Sequence, residues 1–187
     1  MRRIWIALLT AFMWNLVFAT GASADRAKVS RASVAAMEES LDKRLAGLFP
    51  EDPVMLIGVT KGTYITGYGT VFMGELNLAP SAGITPFHQT ISKEEIARIR
   101  QKEMDRVPKL KQVMQELLLS SAASLDAVPA DEQIALSVSL FHFYWENIAG
   151  VPSQIVMHGA KKTLVAIHSG RADRSLLASA VVVEEAF

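Results

Sequence analysis

Lys61-Gly62-Thr63-Tyr64-Ile65-Thr66-Gly67-Tyr68-Gly69-Thr70-Val71-Phe72-Met73-Gly74-Glu75-Leu76-Asn77-Leu78 is the stretch on which the reading of the fold depends. It belongs to two runs rich in β-branched and aromatic residues, 54–65 and 70–78, which predict two strands. Between them, Thr66-Gly67-Tyr68-Gly69 supplies glycine where a tight reversal takes the backbone to positive φ. The expectation is an antiparallel hairpin. A turn at Lys61-Gly62 is the other register the residues allow.

On the N-terminal side, Val34, Met37, Leu41, Leu45 and Leu48 recur at spacings of three and four among charged residues, which predicts a helix over 33–48 closed by Gly47 and Pro50. On the C-terminal side a loop over 79–90 contains Pro80, Gly83 and Pro86. Ser92-Lys93-Glu94-Glu95 then forms a capping box, serine at N-cap and glutamate at N3. A long helix over 92–123 follows. Its stripe runs Ile96, Ile99, Glu103, Val107, Leu110, Met114, Leu117, Leu118, keeping its phase across Pro108, where a kink is expected.

Residues 132–148 fit two periods. Ile134, Leu136, Val138 and Leu140 alternate with small residues, whereas Ile134, Val138, Phe141, Trp145 and Ile148 lie on a helical stripe. Strict alternation and the aromatic cluster favour strand over the whole segment. A turn at Gly150-Val151-Pro152, a short strand over 153–158, a helix over 161–169 stopped by Gly170, and a tail with a Val181-Val182-Val183 strand complete the chain. The expected class is α+β: an antiparallel sheet of about four strands in the order α-β-β-α-β-β-α, with helices packed on it.

Residues 1–24 read as a cleaved signal peptide. Arg2 and Arg3 precede an apolar run over 4–19, and Ala22-Ser23-Ala24 has the small-x-small pattern of a cleavage site. Export to a periplasm or the cell exterior is expected, with no membrane anchor left after cleavage. Residues 25–187 then form one domain of 163 residues, long enough to bury about 70% of its unfolded surface. The chain has no cysteine, so stability must come from the core, and thiol catalysis and cysteine metal sites are excluded. Removing the signal leaves 17 basic against 19 acidic residues. That balance argues against a nucleic-acid partner. The charges between Arg98 and Lys111, interleaved with Glu103 and Asp105, read as a solvated helix face.

No nucleophile elbow, zincin helix, phosphate loop or dinucleotide fingerprint is present. Of the four histidines, His88 falls in a loop and His168 near a helix end. His142 and His158 become neighbours if their strands pair. A zinc site would have to draw on His142, His158, Glu146, Glu132 or Asp131. On a strand, however, His142 and Glu146 would stand about 13 Å apart, too far to share an ion, whereas a helix would bring them together. Neither metal nor cofactor is therefore expected, and no catalytic residue is assigned. Glu75, an acid inside an apolar strand, reads as solvent-facing or paired across the sheet. Tyr68, at the turn, is the candidate for partner binding.

Gly67-Tyr68-Gly69-Thr70-Val71-Phe72, Glu75-Leu76-Asn77-Leu78 and Pro152-Ser153-Gln154-Ile155-Val156-Met157 resemble an uncharacterised family of exported bacterial proteins. That resemblance implies a periplasmic or secreted setting and no reaction. The expectation is a non-catalytic domain that binds a protein or associates with itself. The alternative is a metal-dependent or acid–base hydrolase built on His142, His158 and nearby carboxylates.

Overall fold

The computed structural model describes residues 29–81 and 90–187. The expected signal segment and His88 lie outside the described residues. Helix α1 (Arg31–Ala46) begins where the Ser30 hydroxyl accepts from the Ser33 amide, and it buries Val34, Met37, Leu41 and Leu45. Strands β1 (Met55–Leu56) and β2 (Lys61–Ile65) are two pieces of the run expected as one strand. Both pair antiparallel with β3 (Gly69–Asn77).

The reversal lies at the expected turn. The Tyr68 amide donates to the Ile65 carbonyl at 3.0 Å, and Gly67 and Gly69 have φ of 82° and 133°, values open to glycine and strained for other residues. Gly69 is needed for a second reason. A Cβ there would stand 1.9 Å from the Gln133 carbonyl oxygen.

Helix α2 (Lys93–Ser124) is capped by Ser92, whose hydroxyl accepts from the Glu95 amide, and it runs unbroken through Pro108. Its C-terminal end is closed by a residue distant in sequence. Buried Lys161 donates from Nζ to the carbonyls of Leu125, Asp126 and Val128, placing a cation at the negative end of the helix dipole. Burial lowers the pKa of this amine.

Strand β4 (Gln133–Leu140) pairs in parallel with β3 and antiparallel with β5 (Gln154–Ala160). The sheet is therefore mixed, not antiparallel throughout, and has six strands, with β6 (Val182–Ala186) at the far edge. A long helix between β3 and β4 is the kind of crossover that parallel pairing requires. Helix α3 (Lys161–His168), a turn of 3-10 helix (Arg174–Leu176) and α4 (Leu177–Ala180) precede β6. The architecture is α+β, as expected.

Phe72, Leu76, Ile134, Leu136, Val138, Ile155 and Met157 point to one face and form the buried core with the helices. On this face Gly62 and Gly74 lie against Val34 and Leu45 of α1, and Gly159 lies against Leu164 of α3. Lys111 of α2 reaches Glu185 at 2.5 Å. So α1, α2 and α3 all cover the same side. No helix among the described residues is long and apolar enough to cross a membrane.

Candidate functional site

Strand β4 ends at Leu140, and the segment expected to continue as a strand turns instead. The Glu146 amide donates to the Phe143 carbonyl at 3.0 Å, and the Phe143 amide donates to Glu146 Oε2 at 2.9 Å. This reciprocal closure draws the Glu146 side chain into the turn. Phe143 packs edge-on to Phe141 and stacks on Trp145. The aromatic run thus builds a small cluster of its own, where the sequence had pointed to a pleated surface. Arg100 of α2 donates to the Ala149 carbonyl at 2.7 Å and ties this connection to the helix.

The turn brings His142 and Glu146 together, which the strand expectation excluded. His142 Nδ1 lies 3.2 Å from Oε1 of Glu103, in the middle of α2, and 3.7 Å from Glu146 Oε2. The side chains of Glu103, His142 and Glu146 are 1%, 10% and 2% exposed. One ligand atom from each lies within 4.8 Å of the others. Glu103 Oε2, His142 Nε2 and Glu146 Oε1 have no hydrogen-bond partner.

The electrostatics follow from that crowding. The hydrogen bond to Glu103 raises the His142 pKa; burial opposes it, and the charges of Glu103 and Glu146 add to it. Burial pushes the Glu146 carboxyl up, opposed by the Phe143 amide and reinforced by the charge of Glu103. Two carboxylates facing one imidazole in a low-dielectric site hold a proton or a cation more readily than an uncompensated charge.

The other sequence candidates are elsewhere. His158 pairs with Ala135 near the opposite end of β4 and takes no part in the cluster. Glu132 is buried at that same end, where Oε1 accepts from the Tyr64 hydroxyl and the Gly67 amide, each at 3.1 Å. Asp131 and Glu75 are exposed, and Tyr68 is 41% exposed at the turn. The charge run on α2 is only partly solvated. Besides Glu103, Arg106 is buried, donating to the Leu78 and Asp52 carbonyls and lying 4.4 Å from the Phe49 ring centroid. Glu103 was not among the sequence candidates, although its place on the apolar stripe between Ile99 and Val107 was the signal for it.

The sheet face opposite the helices carries a second feature. Lys61, Met73, Ser137, Val156 and Glu184 are register partners in one rung across five strands. Lys61 and Glu184, at its two ends, are exposed, and Met73 is 52% exposed. The neighbouring rung is Thr63, Val71, Ala135, His158 and Val182. No family model matches the chain, and neither a curated protein nor a solved structure matches it.

Proposed function

We propose that this is an exported domain without catalytic activity, which works by associating with a second copy of itself through the open face of its sheet. The observation that carries the reading is the rung from Lys61 to Glu184. It is basic at one edge, acidic at the other and largely apolar between. A twofold axis along the strands sets the Lys61 edge of one copy against the Glu184 edge of the other and Met73 against Val156. The surface is therefore self-complementary, as a twofold dimer interface requires, and aligned sheets pack face to face in this way. The near-complete burial of the His142 cluster leaves little room for a substrate and supports a binding role over a hydrolytic one.

Sedimentation equilibrium across a concentration series tests the proposal. A dimer is expected, and Met73→Lys should abolish it. Lys61→Glu should weaken it about tenfold, since two symmetry copies of an exposed ion pair each contribute up to about 1 kcal/mol. Adding Glu184→Lys to Lys61→Glu should restore it. A monomer at every concentration, or a dimer indifferent to all three changes, overturns the reading. An N-terminus at Asp25 in mass spectrometry of the exported chain tests the export step separately.

A further inference from the structure

We propose that Glu103, His142 and Glu146 bind one divalent transition cation of the zinc class, an assignment independent of the sheet face. Zinc bonds of about 2.0–2.1 Å in a tetrahedral shell place neighbouring ligand atoms about 3.3 Å apart. The distances from His142 Nδ1 to Glu103 Oε1 and Glu146 Oε2 are 3.2 and 3.7 Å. The imidazole nitrogen therefore stands near that spacing from both carboxylates, and the three ligand atoms lie within 4.8 Å of one another.

A second observation points to a ligand. Buried polar atoms are rarely left without partners, yet each of the two carboxylates has one such atom: Glu103 Oε2 and Glu146 Oε1. Each carboxylate thus has a free second oxygen that a cation can draw on. Charge leads to the same conclusion. A neutral imidazole leaves two buried carboxylates uncompensated, and a dication neutralises both at once. One imidazole nitrogen with carboxylate oxygens suits zinc, iron or nickel, whereas calcium and magnesium take oxygen ligands alone.

The site joins the middle of α2 to the connection between β4 and β5. The ion clamps these two elements through side chains no more than 10% exposed, with the fourth tetrahedral position left to water. The sequence named His142 and Glu146 as candidate ligands but set them apart on one extended strand, and it did not name Glu103.

The test uses the purified, untagged protein, stripped with chelator and titrated with Zn²⁺, and with Mn²⁺ in a second series. Metal analysis after dialysis is expected to give about one zinc per chain, with a thermal midpoint that rises on zinc addition and falls again with chelator. Glu103→Gln and Glu146→Gln keep side-chain shape and should weaken zinc affinity more than about tenfold. Circular dichroism checks that these variants remain folded. His168→Ala, which removes an exposed histidine, should leave the stoichiometry unchanged. If the folded wild-type protein retains neither zinc nor manganese and its midpoint does not move, the proposal fails. Zinc affinity unchanged in both glutamine variants also overturns it, by placing the ion elsewhere.

Discussion

At the start of β4, Glu132 is buried beneath the hairpin turn, where the Tyr64 hydroxyl and the Gly67 amide donate to it. Past the end of the same strand, Glu103 and Glu146 are buried beside one imidazole. Both ends bury carboxylates, but with opposite balances of donors to charge. At the turn, Oε1 of a single carboxylate meets two donors that belong to the fold while Oε2 has no partner, and the group serves as a structural brace. At the other end, two carboxylates share one titratable partner, and each keeps one oxygen without a partner. What separates the two ends is charge: two buried carboxylates beside one imidazole are a place for a cation.

The turn end gives the largest expected effect. Gly69→Val should destabilise the protein by more than about 3 kcal/mol, because positive φ and backbone overlap act together. Gly67→Val has the same φ problem but open space around the new Cβ, and should cost about 1 kcal/mol. Urea denaturation of the two variants separates strain from collision. Equal losses would mean that β3 does not approach Gln133 as described.

Next in size is the brace itself. Glu132→Ala removes the acceptor of two part-buried hydrogen bonds to a charged group and should cost about 1.5–3 kcal/mol in the same assay. A loss below about 0.5 kcal/mol, typical of neutral surface changes, would show that Glu132 does not hold the turn.

The cluster end should respond the other way. In chelator at neutral pH, Glu146→Gln replaces a carboxyl that burial already disfavours as an anion, so stability should change by no more than about 1 kcal/mol, and upward. The pH dependence has a definite sign. Both Glu146 and His142 have raised pKa values in the folded protein, from ordinary values of 4.5 and 6.5. The folded state thus binds more protons than the unfolded one above those values, and stability falls as pH rises. The Glu146 contribution is complete below 4.5 and is lost through its folded pKa; the His142 contribution is complete below 6.5 and is lost through its own. Groups facing His142 are Glu103 from α2 and Glu146 and the Pro152 carbonyl from the connection. Metal-free stability that rises between pH 6 and 8, roughly the range in which histidine titrates, would contradict this arrangement of charges.

The contrast also explains what the sequence made legible. The hairpin, its glycines, the N-cap at Ser92 and the helix ending at Gly170 are local signals, and each is found where it was read, although the Glu95 carboxylate of the expected capping box pairs with Arg98. Parallel pairing of β3 with β4 depends on where α2 delivers the chain, which no local pattern encodes. The segment 132–148 shows the limit within one element. The strand read from Ile134 to Leu140 is present, with Ala135 and Ser137 buried as well as the apolar residues between them, but the aromatics beyond it favour strand only as surfaces to pack, and here Phe141, Phe143 and Trp145 pack on one another. The candidate site depends on that turn and on Glu103, which lies 39 positions before His142, so local pattern could not assemble it. His142 and Glu146 were named as candidate ligands, and for Glu103 the signal was a glutamate in an apolar stripe.

Tyr68 should give the smallest effect, and it tests whether the turn is a matter of backbone alone. Its carbonyl accepts from the Gln133 amide at 2.7 Å and its amide closes the reversal on Ile65. Its ring, by contrast, is 41% exposed. Every bond named here belongs to the main chain, which alanine preserves. Tyr68→Ala should therefore change unfolding stability by less than about 0.5 kcal/mol. It should also leave the dimer intact, because the ring stands beyond the Lys61–Glu184 rung. A substantial loss of stability would mean that the ring packs on the hairpin and that the brace at Glu132 does not act alone. Weaker association with stability unchanged would instead extend the docking surface to the turn, as the sequence had marked Tyr68.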